Sequence, residues 1–241
     1  MNKINWCGYE WLTQERWGEY HPNKAIVWYD PSQIVIYENL LKLGCGYNPK
    51  VFTTVNEKSS EMKDIVVPFG VGLISCTNKF GYGTFELEAK LPNKQPNAWP
   101  AFWMYAFESW PPEIDVVEGY ANKNGSYFNW NIDCLLGNFW KCETNVHLGK
   151  VQNPKAIGAK KHWMGWKNPS KIFFKYKVEW FKDKIEIYYN GKSVRKITDE
   201  NVLSEFRGKT MNVVINNSIT STYDEKKQYF FEIKNFTYTK K

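Results

Sequence analysis

Residues 184–197 read KIEIYYNGKSVRKI, two runs of strand-forming residues joined by Asn190-Gly191. An Asn-Gly pair tolerates the positive φ angles of a tight hairpin turn, so this segment is expected to be two antiparallel strands. The same period of two recurs upstream. FKYKVEW (174–180) alternates Phe174, Tyr176, Val178 and Trp180 with Lys175, Lys177 and Glu179. TFELEAKLP (84–92) places Phe85, Leu87, Ala89 and Leu91 on one face and Glu86, Glu88 and Lys90 on the other. Such alternation buries one face of a sheet and solvates the other. Further short strands fit 25–29, 33–43, 65–76, 98–106, 113–119, 127–132, 143–148, 210–217 and 228–239. Only DENVLSEF (199–206) reads as helix. The polar, irregular segments 44–63 and 149–171 are expected to be long loops, which often frame a site. No internal repeat or linker interrupts the pattern. It implies one domain over residues 1–241, an all-β antiparallel sandwich. A jelly roll is the expected form, because two curved sheets give a concave cleft long enough for a polymer.

Aromatic residues make up 17% of the chain, which suits both strand formation and the gripping of amphipathic ligands such as sugars. The net charge of +7 admits nucleic acid, an anionic membrane or an acidic polymer. The Lys and Arg residues alternate with apolar ones along strands, as in KIFFKYKVEW, and no basic run is long. No nucleic-acid partner is therefore expected. No apolar run reaches membrane-spanning length, and no membrane partner is expected. Cys7, Cys45, Cys76, Cys134 and Cys142 include no C-x-x-C and lack ligand spacing to His21, His147 or His162, so no zinc site is expected. One or two disulfides and a fully reduced chain fit equally well. MNKINWCGYEWLTQ lacks the apolar core of a signal peptide, which leaves localisation open.

The chemistry-bearing stretch is WPPEIDVVEGY (110–120). Glu113, Asp115 and Glu118 sit among Ile114, Val116 and Val117, which favour a strand. Residues two apart share a face, so Glu113 and Asp115 point together and strict alternation sends Glu118 the other way. One extra residue in a β-bulge around Val116–Val117 would return Glu118 to their face. An edge strand with a solvated acidic face is the plain alternative. Trp99, Trp103 and Trp110 lie close by in NAWPAFWMYAFESWPP (97–112), and indoles beside carboxyls fit sugar platforms next to an acid–base pair better than edge protection. Glycoside hydrolysis commonly uses two carboxyls of different protonation state, and a third acid can shift the proton between them.

These residues resemble glycoside hydrolase family 16, the β-jelly-roll family of laminarinases, mixed-linkage glucanases, agarases, porphyranases and κ-carrageenases. EIDVVE is similar to its E-[ILV]-D-x-x-E pattern, and WPAFWM to the stretch upstream. FGYGTFELEAKLP, NVHLG, YKVEWFKDKIEIYYNG, MNVVINNSI and YFFEIKNFTYTK resemble further family strands, so the likeness covers most of the chain from about residue 80. It implies a retaining endo-β-glycosidase acting on a β-glucan or a galactan through internal β-1,3 or β-1,4 linkages. Glu113 would be the nucleophile, Glu118 the general acid and base, and Asp115 the residue that tunes their protons. Trp103 and Trp110 would shape the subsite of the attacked sugar, with His147 and Asn216 on nearby hydroxyls. The segment 121–144 departs from the commoner family versions, and its Trp130 and Trp140 fit further subsites or the core equally. Trp99 is expected to pack. No cofactor or catalytic metal is expected, although the resemblance allows a structural calcium. A monomer acting on a polysaccharide is expected, and that substrate class would place it outside the cytoplasm. A lectin-like binding protein on the same fold is the alternative.

Overall fold

The computed structural model describes residues 2–20, 26–55, 62–93, 98–119, 141–164, 167–219 and 229–241. The strands among them begin with β1 (Lys3–Trp6), β2 (Tyr9–Leu12), β3 (Val27–Tyr29), β4 (Ile34–Tyr37), β5 (Leu40–Leu43) and β6 (Cys45–Val55). Next come β7 (Met62–Val71), β8 (Leu73–Cys76), β9 (Gly83–Lys90), β10 (Ala98–Ala106), β11 (Glu113–Glu118) and β12 (Lys141–Lys150). The rest are β13 (Asn153–Ala156), β14 (Lys160–Trp163), β15 (Phe174–Trp180), β16 (Ile185–Tyr189), β17 (Lys192–Ile197), β18 (Met211–Ile219) and β19 (Phe231–Lys240). Among the described residues a short α-helix, α1 (Glu200–Glu205), is capped by the Asp199 carboxylate, which accepts from the Asn201 amide.

Two large sheets form the sandwich. One has the order β1-β2-β8-β18-β10-β11-β12-β13, with β14 also on β12; the other runs β17-β16-β15-β9-β19-β5-β4. Their inner faces make one core. Phe85, Leu87, Ala89, Tyr176, Val178 and Trp180 from the second sheet join Phe102, Met104, Ile114, Val213 and Ile215 from the first. Burying each large apolar side chain stabilises by about 1.5–3 kcal/mol. A one-residue slip would turn these side chains to water, so the core fixes the register. The hairpin expected at 184–197 forms as β16 and β17, with Asn190 and Gly191 at φ 46° and 79°.

A third sheet, β3-β7-β6, lies against the outer face of the first. There Val27, Tyr29, Phe69 and Val71 pack with Leu73, Tyr105, Val214 and Ile219, and with part-buried Trp103 and Trp110. This second cluster backs one end of the face that carries the acids.

Several elements differ from the sequence reading. Residues 45–55 are strand, not loop, paired with β7 in a long hairpin. Both of its faces are partly exposed, so no apolar alternation marks it, and Pro49 sits at a register shift that needs no ladder N–H. Residues 153–156 and 160–163 are edge strands within the segment expected to be a loop. The run 33–43 is broken at Glu38, and 65–76 at Gly72. Gly72 has no room for a side chain, since a Cβ there would lie 2.7 Å from the Gln33 carbonyl oxygen. The strand expected at 127–132 lies outside the described residues, as does Cys134. Cys7, Cys45, Cys76 and Cys142 are free thiols.

Candidate active site

Strand β11 is bulged where its sequence requires. Glu113, Ile114 and Asp115 pair with Tyr105, Met104 and Trp103 of β10, whereas Val117 pairs with Phe102 and Glu118 with Ala101. Val116 is the extra residue. Ile114, Val116 and Val117 are all fully buried in the main core, so Glu113, Asp115 and Glu118 share the opposite face. The bulge is held from the facing sheet: the buried Tyr189 hydroxyl of β16 donates to the Val116 carbonyl at 2.8 Å. A hydrogen bond there satisfies a polar group that burial would otherwise leave costly.

His147 lies directly across from Glu113, and Asn145 across from Asp115. His147 Nε2 is 3.5 Å from Glu113 Oε1, 3.4 Å from Asp115 Oδ2 and 3.2 Å from Asn145 Nδ2. The Trp110 indole N–H donates to Glu113 Oε2 at 2.7 Å. Burial pushes the Glu113 carboxyl well above its ordinary value, and the charge of Asp115 pushes it further. The Trp110 hydrogen bond opposes this, and Glu118 adds like-charge repulsion. Three carboxyls in so small a space cannot all ionise cheaply, so the group is poised to hold and pass a proton.

The walls are aromatic. Trp103 donates its indole N–H to Asn216 Oδ1 at 2.8 Å and stacks on Tyr105 with ring centroids 5.2 Å apart. The Asn216 amide donates in turn to the Trp99 carbonyl at 3.4 Å, so Asn216 braces the indole platform. Trp99 shares the face of Trp103 on β10 and packs over Gly119, where a Cβ would come within 2.7 Å of its ring. Tyr105 donates to Glu15 Oε2 at 2.9 Å and accepts from Arg16 Nε at 3.2 Å. Burial raises the Glu15 carboxyl to about 7, against the Tyr105 hydroxyl and Arg16.

The structure thus brings together Glu113, Asp115, Glu118, Trp103, Trp110, His147 and Asn216. Trp130 and Trp140 lie outside the described residues. Tyr105, Asn145 and Glu15 were not singled out by the sequence reading. Tyr105 and Asn145 could have been found by counting two residues along from Trp103 and back from His147. Nothing in the sequence around Glu15 marks a buried acid. Glu113, Asp115 and His147 each bring a ligand atom to within 4.8 Å of the others, so they are also the described residues able to hold a cation.

The family model described as Glycosyl hydrolases family 16 matches residues 45–233. The chain belongs to this family. The family-16 chain is 31% identical over 121 residues to the endo-1,3-1,4-β-glycanase ExsH of Rhizobium meliloti (strain 1021), covering 47% of this chain and 25% of that protein. It spans about a quarter of the length of the curated relatives it matches. Its fold is that of the laminarinase catalytic domain from Thermotoga maritima MSB8, with a TM-score of 0.65 at 17% identity over 90% of this chain and 83% of that one. The κ-carrageenase from Pseudoalteromonas carrageenovora matches at a TM-score of 0.64 and 16% identity, over 90% and 85% of the two chains. The jelly-roll architecture read from the strand pattern is the one these structures share.

Proposed function

We propose that this family-16 chain hydrolyses internal β-1,3 or β-1,4 linkages of a polysaccharide, a β-glucan or a galactan, by double displacement with retention. The observation that carries the reading is the bulge at Val116, which gathers Glu113, Asp115 and Glu118 on one face beside Trp99, Trp103 and Trp110. Sugar rings stack on the indoles. A Glu113 oxygen attacks the anomeric carbon while Glu118 gives its proton to the departing glycosidic oxygen. Water then attacks the anomeric carbon of the glycosyl-enzyme as the Glu118 carboxylate takes a proton from that water, and the Glu113–carbon bond breaks. The Trp110 indole favours the Glu113 anion. Asp115 and His147, both beside Glu113, redistribute the proton that the carboxyl group retains. Two carboxyls complete this cycle, so it calls on no organic cofactor and no metal.

The test is release of reducing ends from a panel of β-glucans and galactans by the wild type and by Glu113→Gln. Rapid loss of polymer length with the wild type and none with the variant supports the reading. Binding without chain shortening, for every polymer, would replace it with the lectin-like alternative.

A further inference from the structure

The positive charge is not evenly spread. Residues 144–178 contain eight Lys and no Asp or Glu, which is more than the whole chain's excess of +7. Lys175 and Lys177 of that run pair with Glu86 and Glu179 on the second sheet. Lys150, Lys155, Lys160 and Lys161 lie on β12 and its edge partners β13 and β14, are exposed, and form no ion pair among the described residues.

Register decides which of these look toward the acids. On β14, Lys161 lies across from Glu143 and Trp163 across from Lys141. Their neighbours His162, Cys142 and Thr144 turn inward: Cys142 is buried in the core, and Thr144 Oγ1 meets His162 Nε2 at 2.8 Å. Lys141, Glu143, Asn145 and His147 alternate along β12, and His147 touches Glu113 and Asp115. Lys141, Lys161 and Trp163 therefore share the face of the acids. Glu143 between them is buried, whereas Lys161 is exposed. Trp163 is 42% exposed. β14 is two strands from β11, about 10 Å, and Lys161 is one pair further along than Asp115, about 7 Å. That offset suits a sugar unit outlying the one attacked.

Lysines on an edge strand can also serve to block unwanted pairing. That role places them anywhere along the edge and leaves a half-exposed Trp on the cleft face unexplained. We propose that Trp163, Lys141 and Lys161 form an outlying subsite for an anionic sugar unit carrying a sulfate ester or a carboxylate. The ring stacks on Trp163, and the ammonium groups meet the substituent by charge-assisted hydrogen bonds. The inference rests on the glycanase reading and deepens it, because it makes the preferred substrate an acidic polysaccharide.

Binding, measured in a Glu113→Gln background that turns nothing over, separates the two ideas. The probes are a sulfated galactan against its desulfated form, and a carboxymethylated mixed-linkage β-glucan against the unmodified polymer. At low salt the parent binds a charged polymer more tightly than its neutral partner, and rising ionic strength removes the difference. Lys141→Gln/Lys161→Gln weakens the charged polymer about tenfold and leaves the neutral one within about twofold. Trp163→Ala weakens both about fivefold. Which charged polymer responds identifies sulfate or carboxylate. Equal affinity of the parent for charged and neutral partners, or a double variant that weakens both alike or neither, overturns the subsite. Charge-selective binding with no hydrolysis of any polymer by the wild type would keep the subsite and discard the proposed reaction.

Discussion

In the proposed reaction Glu113 carries opposing demands, since attack as a nucleophile needs its anion while burial and Asp115 favour its neutral form. Its folded pKa lies above the ordinary 4.5, so the folded state keeps a proton that the unfolded chain has released. That stability is fully present below pH 4.5 and is lost as pH rises through the folded value. Glu113→Gln, a permanently neutral isostere, is therefore expected to abolish turnover and raise Tm at pH 7 relative to wild type, with the gap closing near pH 4. Thermal melts across pH check this, and unfolding of the variant would assign the residue a structural role instead. Glu118→Ala should lose activity on polysaccharide by a factor of about 10²–10⁴. It should regain much of it on aryl glycosides whose leaving groups need no proton. Failure of that rescue would remove Glu118 as the acid. At this scale the three acids were legible because they are close in sequence and set in an apolar strand. Tyr105 and Asn145 were less so, because their importance depends on which strand lies beside β10 and β11. Glu15 reaches the site from a loop 90 residues away from its partner Tyr105, and no local pattern announces it.

The element that matters most is the bulged strand. Val116 is the inserted residue, and its carbonyl depends on Tyr189 in the opposite sheet. Tyr189→Phe removes that hydrogen bond from the core and is expected to cost about 1–3 kcal/mol in chemical denaturation. It should also lower kcat with little change in KM, because the bulge aims Glu118. Unchanged stability and kcat would show that the bulge is held by packing alone. Gly119 ends the same strand at φ 64° beneath Trp99. Gly119→Ala meets both a strained backbone and the indole, and should destabilise by about 1–3 kcal/mol in the same assay. The strands with one buried face, such as β9 and β15, declared themselves through strict alternation. β6 hid because its faces are alternately half-buried and exposed, and β1 and β2 hid because four residues are too few for a period to show. The bulge was legible because the alternative placed Glu118 in the core.

Across the whole molecule, charges with shifted pKa values set the pH range of stability. Glu15, fully buried, is raised to about 7, and the stability its proton contributes is lost as pH rises from 4.5 through that value, about 3 kcal/mol in full. Glu179 and Glu186, ion-paired with Lys184, are lowered to about 2, so their contribution is present above 4.5 and lost as pH falls toward 2. The Lys184 cluster is part-exposed, so solvent screens these pairs and that part is small. Stability should peak at about pH 5 and decline toward pH 8, with Glu15→Gln flattening the alkaline side. Denaturant midpoints across pH measure this, and a maximum at pH 8 would mean that Glu15 is ionised in the folded chain. The fold as a whole was readable from period-two patterning, whereas the third sheet was not, because it emerges only from how strands are ordered; the acid-free lysine run 144–178 is visible in the sequence, but its place on an edge facing the acids is not. The central claim is that the bulge makes a nucleophile of Glu113 and an acid of Glu118 on one face of the sheet. Proton NMR of the first-formed product, recorded before mutarotation, tests it most directly. Double displacement at Glu113 gives the β-anomer first; an initial α-anomer would contradict it.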